Sequence, residues 1–246
     1  MRANAQRKSF FIGWDVGGWN CERNPRSRDA IVILDSTLAI VGKPWRGNMR
    51  GVICTNRTTR GWLSALFAKC DGGLPGPSAQ VTMAIDTPLG FPTDFVRLVE
   101  SLKNGSEPPD ESGENHYLFR QTERRLFQRG LKPLSAVKDM IGSQATKGMH
   151  VLAKFAPIIE SCGVWTDGDC FRAIETYPTA VRARVVDQLL QSRRRLKPDD
   201  VNDARKCAVI AYLFANKRAS LEAPAEDVSS REGWIWRPRD CVIGTR

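Results

Sequence analysis

At 246 residues, 41% hydrophobic and 26% charged, the chain is long enough to bury a sizeable core and reads as a single domain over residues 1–246. Its 37 Lys and Arg against 27 Asp and Glu give a formal net charge of +10, a field that concentrates polyanions and makes nucleic acid, DNA or RNA, the leading partner class. The basic start MRANAQRKSFFIGWDVGG has an apolar run too short for a signal peptide or membrane span, so no membrane and a cytoplasmic location are expected; seven scattered cysteines without a CxxC pair argue against zinc.

Three apolar runs, KSFFIGWDV, AIVILDS and LAIVGKPW, follow one another with no helical period between them and predict a three-stranded meander. TTRGWLSALFAKC places Trp62, Leu63, Leu66 and Phe67 at helical spacing, and DGGLPGPS breaks the helix. QVTMAIDTP is nearly continuous in apolar residues, as in a strand covered on both faces, and ends at Asp86 before Pro88. From Thr93 to about Thr166 the pattern is helical: DFVRLVESLKNG, the basic amphipathic YLFRQTERRLFQRG closed by Gly130, and GMHVLAKFAPIIESCG, with the polar loop SEPPDESGENH between the first two. CFRAIETYP predicts a strand ending at Glu175, and AVRARVVDQLLQSRRR and DDVNDARKCAVIAYLFANKR predict two closing helices. Three strands, a helix, a strand, helices, a strand and final helices give an α/β fold, a mixed five-stranded sheet flanked by helices. That is the order of an RNase H-like fold with a helical insertion, about 93–166, between strands 4 and 5.

Asp15, Asp86 and Glu175 all stand at the tails of apolar strands, and groups at the carboxyl ends of neighbouring strands converge on one crevice. Asp200 and Asp203, three apart, share a helix face. Gathered carboxylates raise one another's pKa unless a cation neutralises them, and Mg2+ or Mn2+ suits carboxylate oxygens. Two such ions, about 3.5 to 4 Å apart, activate water and stabilise the leaving oxygen in phosphodiester cleavage. Each acid also has a plainer explanation. Asp15 before Gly17 and Gly18 would open a turn, as would Asp86; Asp199 and Asp200 suit the first turn of a helix, and Glu175 would meet a nearby arginine.

The stretches IGWDVGGW, AIDTPLGFP, FRQTERRL, IETYP, DDVNDARKCAVIAYLFA and EGWIWRP, spread over nearly the whole chain, resemble domain-of-unknown-function family 429, a group described as predicted nucleases of RNase H-like fold. The resemblance implies that Asp15, Asp86 and the Asp203 region are the metal-binding acids. The D-x-x-D-A pattern at Asp200 and Asp203 is also similar to the last motif of RuvC-type Holliday-junction resolvases, which implies that both approach the metals. Where the family usually has one histidine or acid ahead of the final aspartate, Asp199 and Asp200 compete for that place. The insertion would then hold substrate, with Arg120, Arg124 and Lys147 as phosphate contacts and Arg193, Arg194 and Arg195 as a second basic patch. Trp14, Trp19 and Trp45 would offer stacking surfaces to bases, or belong to the core. The expected activity is a metal-dependent nuclease using two ions. The alternatives are a non-catalytic nucleic-acid-binding scaffold on the same fold, and an ATP-binding sugar-kinase-like or actin-like protein suggested by DVGG.

Overall fold

The computed structural model describes residues 8–24, 27–109, 112–178, 182–190 and 195–242. In chain order the elements are strands β1 (Ser9–Asp15), β2 (Asp29–Leu34) and β3 (Trp45–Gly47), helices α1 (Arg50–Thr55) and α2 (Thr59–Lys69), and strand β4 (Gln80–Asp86). Helices α3 (Thr93–Ser101), α4 (Gln121–Phe127) and α5 (Gly142–Phe155) come next, then strands β5 (Ile158–Ser161), β6 (Val164–Thr166) and β7 (Phe171–Glu175). A short strand β8 (Arg182–Ala183) leads into α6 (Arg184–Leu190) and α7 (Asp199–Asn216), and β9 (Cys241–Val242) pairs back onto β8.

The sheet is α/β in class but has seven strands rather than the five expected, in the order β3-β2-β1-β4-β7-β6-β5. The parallel core is β1, β4 and β7; β2 runs antiparallel to β1, β3 to β2, β6 to β7 and β5 to β6. The two additional strands come from the end of the segment read as purely helical. Pro157 follows the last turn of α5, and Gly163, at φ +70, turns the chain between β5 and β6. A proline ends a helix because it lacks the N–H donor, and a glycine takes the left-handed conformation a tight hairpin needs. At the other edge the run LAIVGKPW is not the strand expected: it makes a single bridge, Ile40 to Leu34, and the edge strand β3 begins at its last residue, Trp45.

Helices cover both faces. Ile12, Trp14, Met83, Ile85, Phe171 and Ala173 look toward α1, α2 and α5, joined by Trp62, Leu66, Phe67 and Phe155. Thr58 caps α2 by accepting the Gly61 N–H, so the apolar face of that helix starts where the sequence places it. Phe11, Ala30, Val32, Ala84 and Ile174 look the other way, toward α6 and α7. Alternation along the central strands β1, β2, β4 and β7 therefore sends successive core residues to one layer and then the other. Helix α7 lies against β1 so closely that a Cβ at Gly13 would stand 1.7 Å from the Ala204 carbonyl oxygen, which leaves glycine as the side chain that fits. Among the described residues no helix is long and apolar enough to cross a membrane.

Candidate active site

The register aligns Asp15 with Asp86, the last residues of two adjacent parallel strands. Strands in a sheet run about 4.8 Å apart, so the two carboxylates leave the sheet side by side. They continue the face of Gly13 and Ala84, the face that α7 covers. The N-terminal part of α7 carries Asp200 and Asp203 into the same neighbourhood. Burial pushes the Asp15 carboxyl up to about 9, with the charges of Asp86, Asp203, Asp200 and Asp29 adding to it. Burial likewise raises Asp86 to about 8, reinforced by Asp203 and Glu175 and opposed by Lys206. The charges of four predicted acids thus act on one another at the carboxyl end of the parallel strands. Between the two competitors for the place ahead of Asp203, Asp200 is turned inward, whereas Asp199 is exposed and paired with Arg195 at 2.7 Å.

The acids differ in how they are neutralised. Asp200 Oδ2 accepts from Arg46 Nε at 2.5 Å, and Asp203 Oδ1 from Lys206 Nζ at 2.6 Å. Among the described residues, neither the Asp15 nor the Asp86 carboxylate has a hydrogen bond or ion pair. Both keep an opening to a cleft of about 200 Å³ whose floor also includes Thr87 and Glu175, with Pro133, Leu134, Ile141, Gln144, Tyr177 and Ile235 among its walls. Thr87 is 6% exposed, and its hydroxyl has no partner among the described residues.

Glu175 proves to be a different kind of residue. The register sets Glu175 opposite Ile85, one place before Asp86, so its side chain projects from the α5 face rather than the α7 face. There Arg120 grips it with two bonds, Nη2 to Oε1 at 2.6 Å and Nη1 to Oε2 at 2.8 Å, and the Leu89 N–H donates to Oε2 at 2.9 Å. A carboxylate engaged in this way has little left for a metal, which corrects the catalytic assignment of Glu175.

Two of the predicted phosphate contacts are also corrected. Arg120 is 1% exposed, chelated by Glu123 and Glu175 and bonded to the Glu232 carbonyl. Lys147 is wholly buried, paired with Asp29 and donating to the carbonyls of Gly17 and Gly18. It organises the loop after Asp15: Asp29 in turn accepts from Trp14 Nε1, Gly17 N and Met49 N. Trp14 is therefore core, while Trp19 and Trp45 are partly exposed. On α4, Arg125 pairs with Asp227, and in the turn after it Arg129 pairs with Glu222. Arg124 is half-buried with Nε unpartnered among the described residues. Arg195 is exposed on its pair with Asp199, and Arg193 and Arg194 lie outside the described residues.

Among the described residues, Asp167, Asp169 and Cys170 are the one set of three ligand atoms within 4.8 Å of one another, and the acids around Asp15 do not draw in so tightly. That trio is turn architecture. Asp167 Oδ1 accepts the N–H groups of Asp169, Cys170 and Phe171, Asp169 pairs with Arg60, and burial holds the Cys170 thiol up near about 11. No family model matches the chain, nor does any curated protein or solved structure. Sequence reasoning missed Lys206 and Arg46. The first stands at i+3 from Asp203, a spacing that a helix converts into contact; the second left no local signal, since its partner is 154 residues away.

Proposed function

We propose that this protein is a divalent-cation-dependent phosphodiesterase of nucleic acid, built on an RNase H-like sheet. The observation that carries this reading is the bare pair, Asp15 and Asp86, adjacent at the strand ends and, among the described residues, without a hydrogen bond or ion pair. Two half-buried carboxylates on neighbouring strand ends are costly unless protonated or bound to a cation, and an all-oxygen donor set favours Mg2+ or Mn2+. The residues fit such an ion: two unengaged carboxylates on rigid strands, with the Thr87 hydroxyl lacking a partner beside them. The order β3-β2-β1-β4-β7, with β2 reversed, supports the RNase H-like arrangement, β6 and β5 being an addition at one edge.

When bound, such an ion polarises a phosphoryl oxygen and lowers the pKa of water. Asp15 and Asp86 hold it, and the strand register fixes the spacing of their carboxylates. Asp203 and Asp200 contribute negative potential from α7 and are themselves oriented by Lys206 and Arg46. Arg120 orients Glu175 and anchors the cleft floor at Leu89 and Glu232. The walls Pro133, Leu134 and Ile141 are apolar and limit water around a bound phosphodiester. The net charge of +10 supports a polyanionic substrate.

The test is a panel of labelled single-stranded, double-stranded and branched DNA and RNA with Mg2+, Mn2+ or EDTA. Cleavage is expected with either metal, abolished by EDTA and reduced at least about a hundredfold in Asp15→Asn and Asp86→Asn, the scale on which removal of an electrostatic catalytic group acts. Cleavage that persists in both variants refutes the assignment. Salt-sensitive oligonucleotide binding without turnover in any metal identifies a scaffold instead, and heat released with ATP but not with oligonucleotide identifies a kinase-like protein.

A further inference from the structure

The four acids are not equivalent, and their pairing sets how many ions the site takes. Asp203 and Lys206 sit three residues apart on α7 with Nζ 2.6 Å from Oδ1, and both are largely shielded, at 17% and 30% side-chain exposure. Asp200 is held in the same way by Arg46, at 10% and 24%. Four carboxylates set against these two internal cations leave two negative charges, the charge of one divalent ion. Those two charges belong to Asp15 and Asp86. Glu175 is held apart from these four, its oxygens taken by Arg120 and Leu89 on the other face of the sheet, although its charge still acts on Asp86.

We propose that Lys206 is a built-in substitute for a second divalent ion: its tethered ammonium fills the second cation's place on Asp203, so that the site binds one ion, on Asp15 and Asp86. This rests on the divalent-ion reading above and departs from the two-ion expectation. A second dication reaching Asp203 has to displace Lys206 or sit beside it, and its repulsion from an ammonium is twice that of a monovalent ion at the same distance. The Lys206 charge also acts on Asp86, whose carboxyl it pulls downward against the larger effect of burial. Its role is positioning and charge balance, exerted through Asp203.

The experiment counts Mn2+ ions on the intact protein by isothermal titration and by electron paramagnetic resonance. The wild type is expected to bind a single Mn2+ with an uncoupled spectrum. Lys206→Met, which keeps the aliphatic stem and loses the charge, is expected to bind two, with the spin-coupled signature of neighbouring ions. Lys206→Arg is expected to restore a single ion, and Asp15→Asn to lose it. Two ions on the wild type, or a single ion on Lys206→Met, overturns the role of Lys206 and leaves the divalent-ion reading standing. No ion on the wild type overturns both.

Discussion

Arg120 illustrates how a side chain's surroundings decide between two roles that its sequence allows equally. A guanidinium in a basic amphipathic helix suits a phosphate, yet here it lies within 1% of full burial and closes a clamp on Glu123, Glu175 and the Glu232 carbonyl. Breaking such a buried pair from one side strands the other charge, at a cost of about 3–5 kcal/mol. Arg120→Met is therefore expected to lower the unfolding free energy by that order in urea titration. Unchanged stability with weakened oligonucleotide binding would return Arg120 to the substrate. Lys147 belongs to the same category, since among the described residues it is the one cation paired with Asp29. What the sequence shows at this scale is the kind of charge; whether it faces inward is set by partners up to 118 residues away.

At the scale of elements, most of the sheet was legible because long apolar runs with breakers behind them have few other solutions. Asp15 and Asp86 were found at strand ends for that reason, and the spacing of Asp200 and Asp203 follows from the helical repeat alone. Of the two readings of Glu175, the nearby arginine holds and the catalytic acid does not, because its side depends on register: a shift of one residue sends a side chain to the opposite face, and nothing local to FRAIE records how it aligns with β4. The β5–β6 hairpin was absorbed into a helix although Pro157 and Gly163 mark it, because the apolar run through PIIES fits either period. The packing of α7 on β1 yields a sharper expectation. Gly13→Ala forces a methyl group into the Ala204 carbonyl and the Ala208 N–H, contacts made of backbone that have no soft way to yield. Loss of more than about 4 kcal/mol, or no soluble folded protein, is expected. A variant with near-native melting would show that α7 stands off from β1.

For the whole molecule, the acid cluster makes stability depend on protons in an unusual direction. With carboxyls raised to about 9 at Asp15 and about 8 at Asp86, the folded chain holds protons that the unfolded chain, with ordinary values near 4, has already released. The metal-free protein is then expected to lose stability as pH rises from about 4 toward about 9, opposite to the trend for a salt-bridged carboxylate. Thermal melting with EDTA should show this slope, Asp15→Asn should flatten it, and Mn2+ should raise the melting temperature more near pH 8 than near pH 6. Melting independent of pH across that range would mean the two acids are not buried together. The net charge of +10 is legible from composition, but its placement is not: three of the arginines that cluster in and around α4, Arg120, Arg125 and Arg129, are matched with Glu123, Asp227 and Glu222.

The clamp that holds the cleft floor is completed by a late stretch of chain. Glu232 receives the N–H groups of Thr93 and Gln121, Ile235 pairs with Glu175, and the Trp236 N–H reaches the Glu175 carbonyl. On the ribosome the strands bearing Asp15 and Asp86 emerge long before this stretch, so a nascent chain carries its acids without a finished pocket around them. The surroundings of the two acids are therefore completed only once synthesis has passed Trp236, the residue whose N–H closes onto the Glu175 carbonyl.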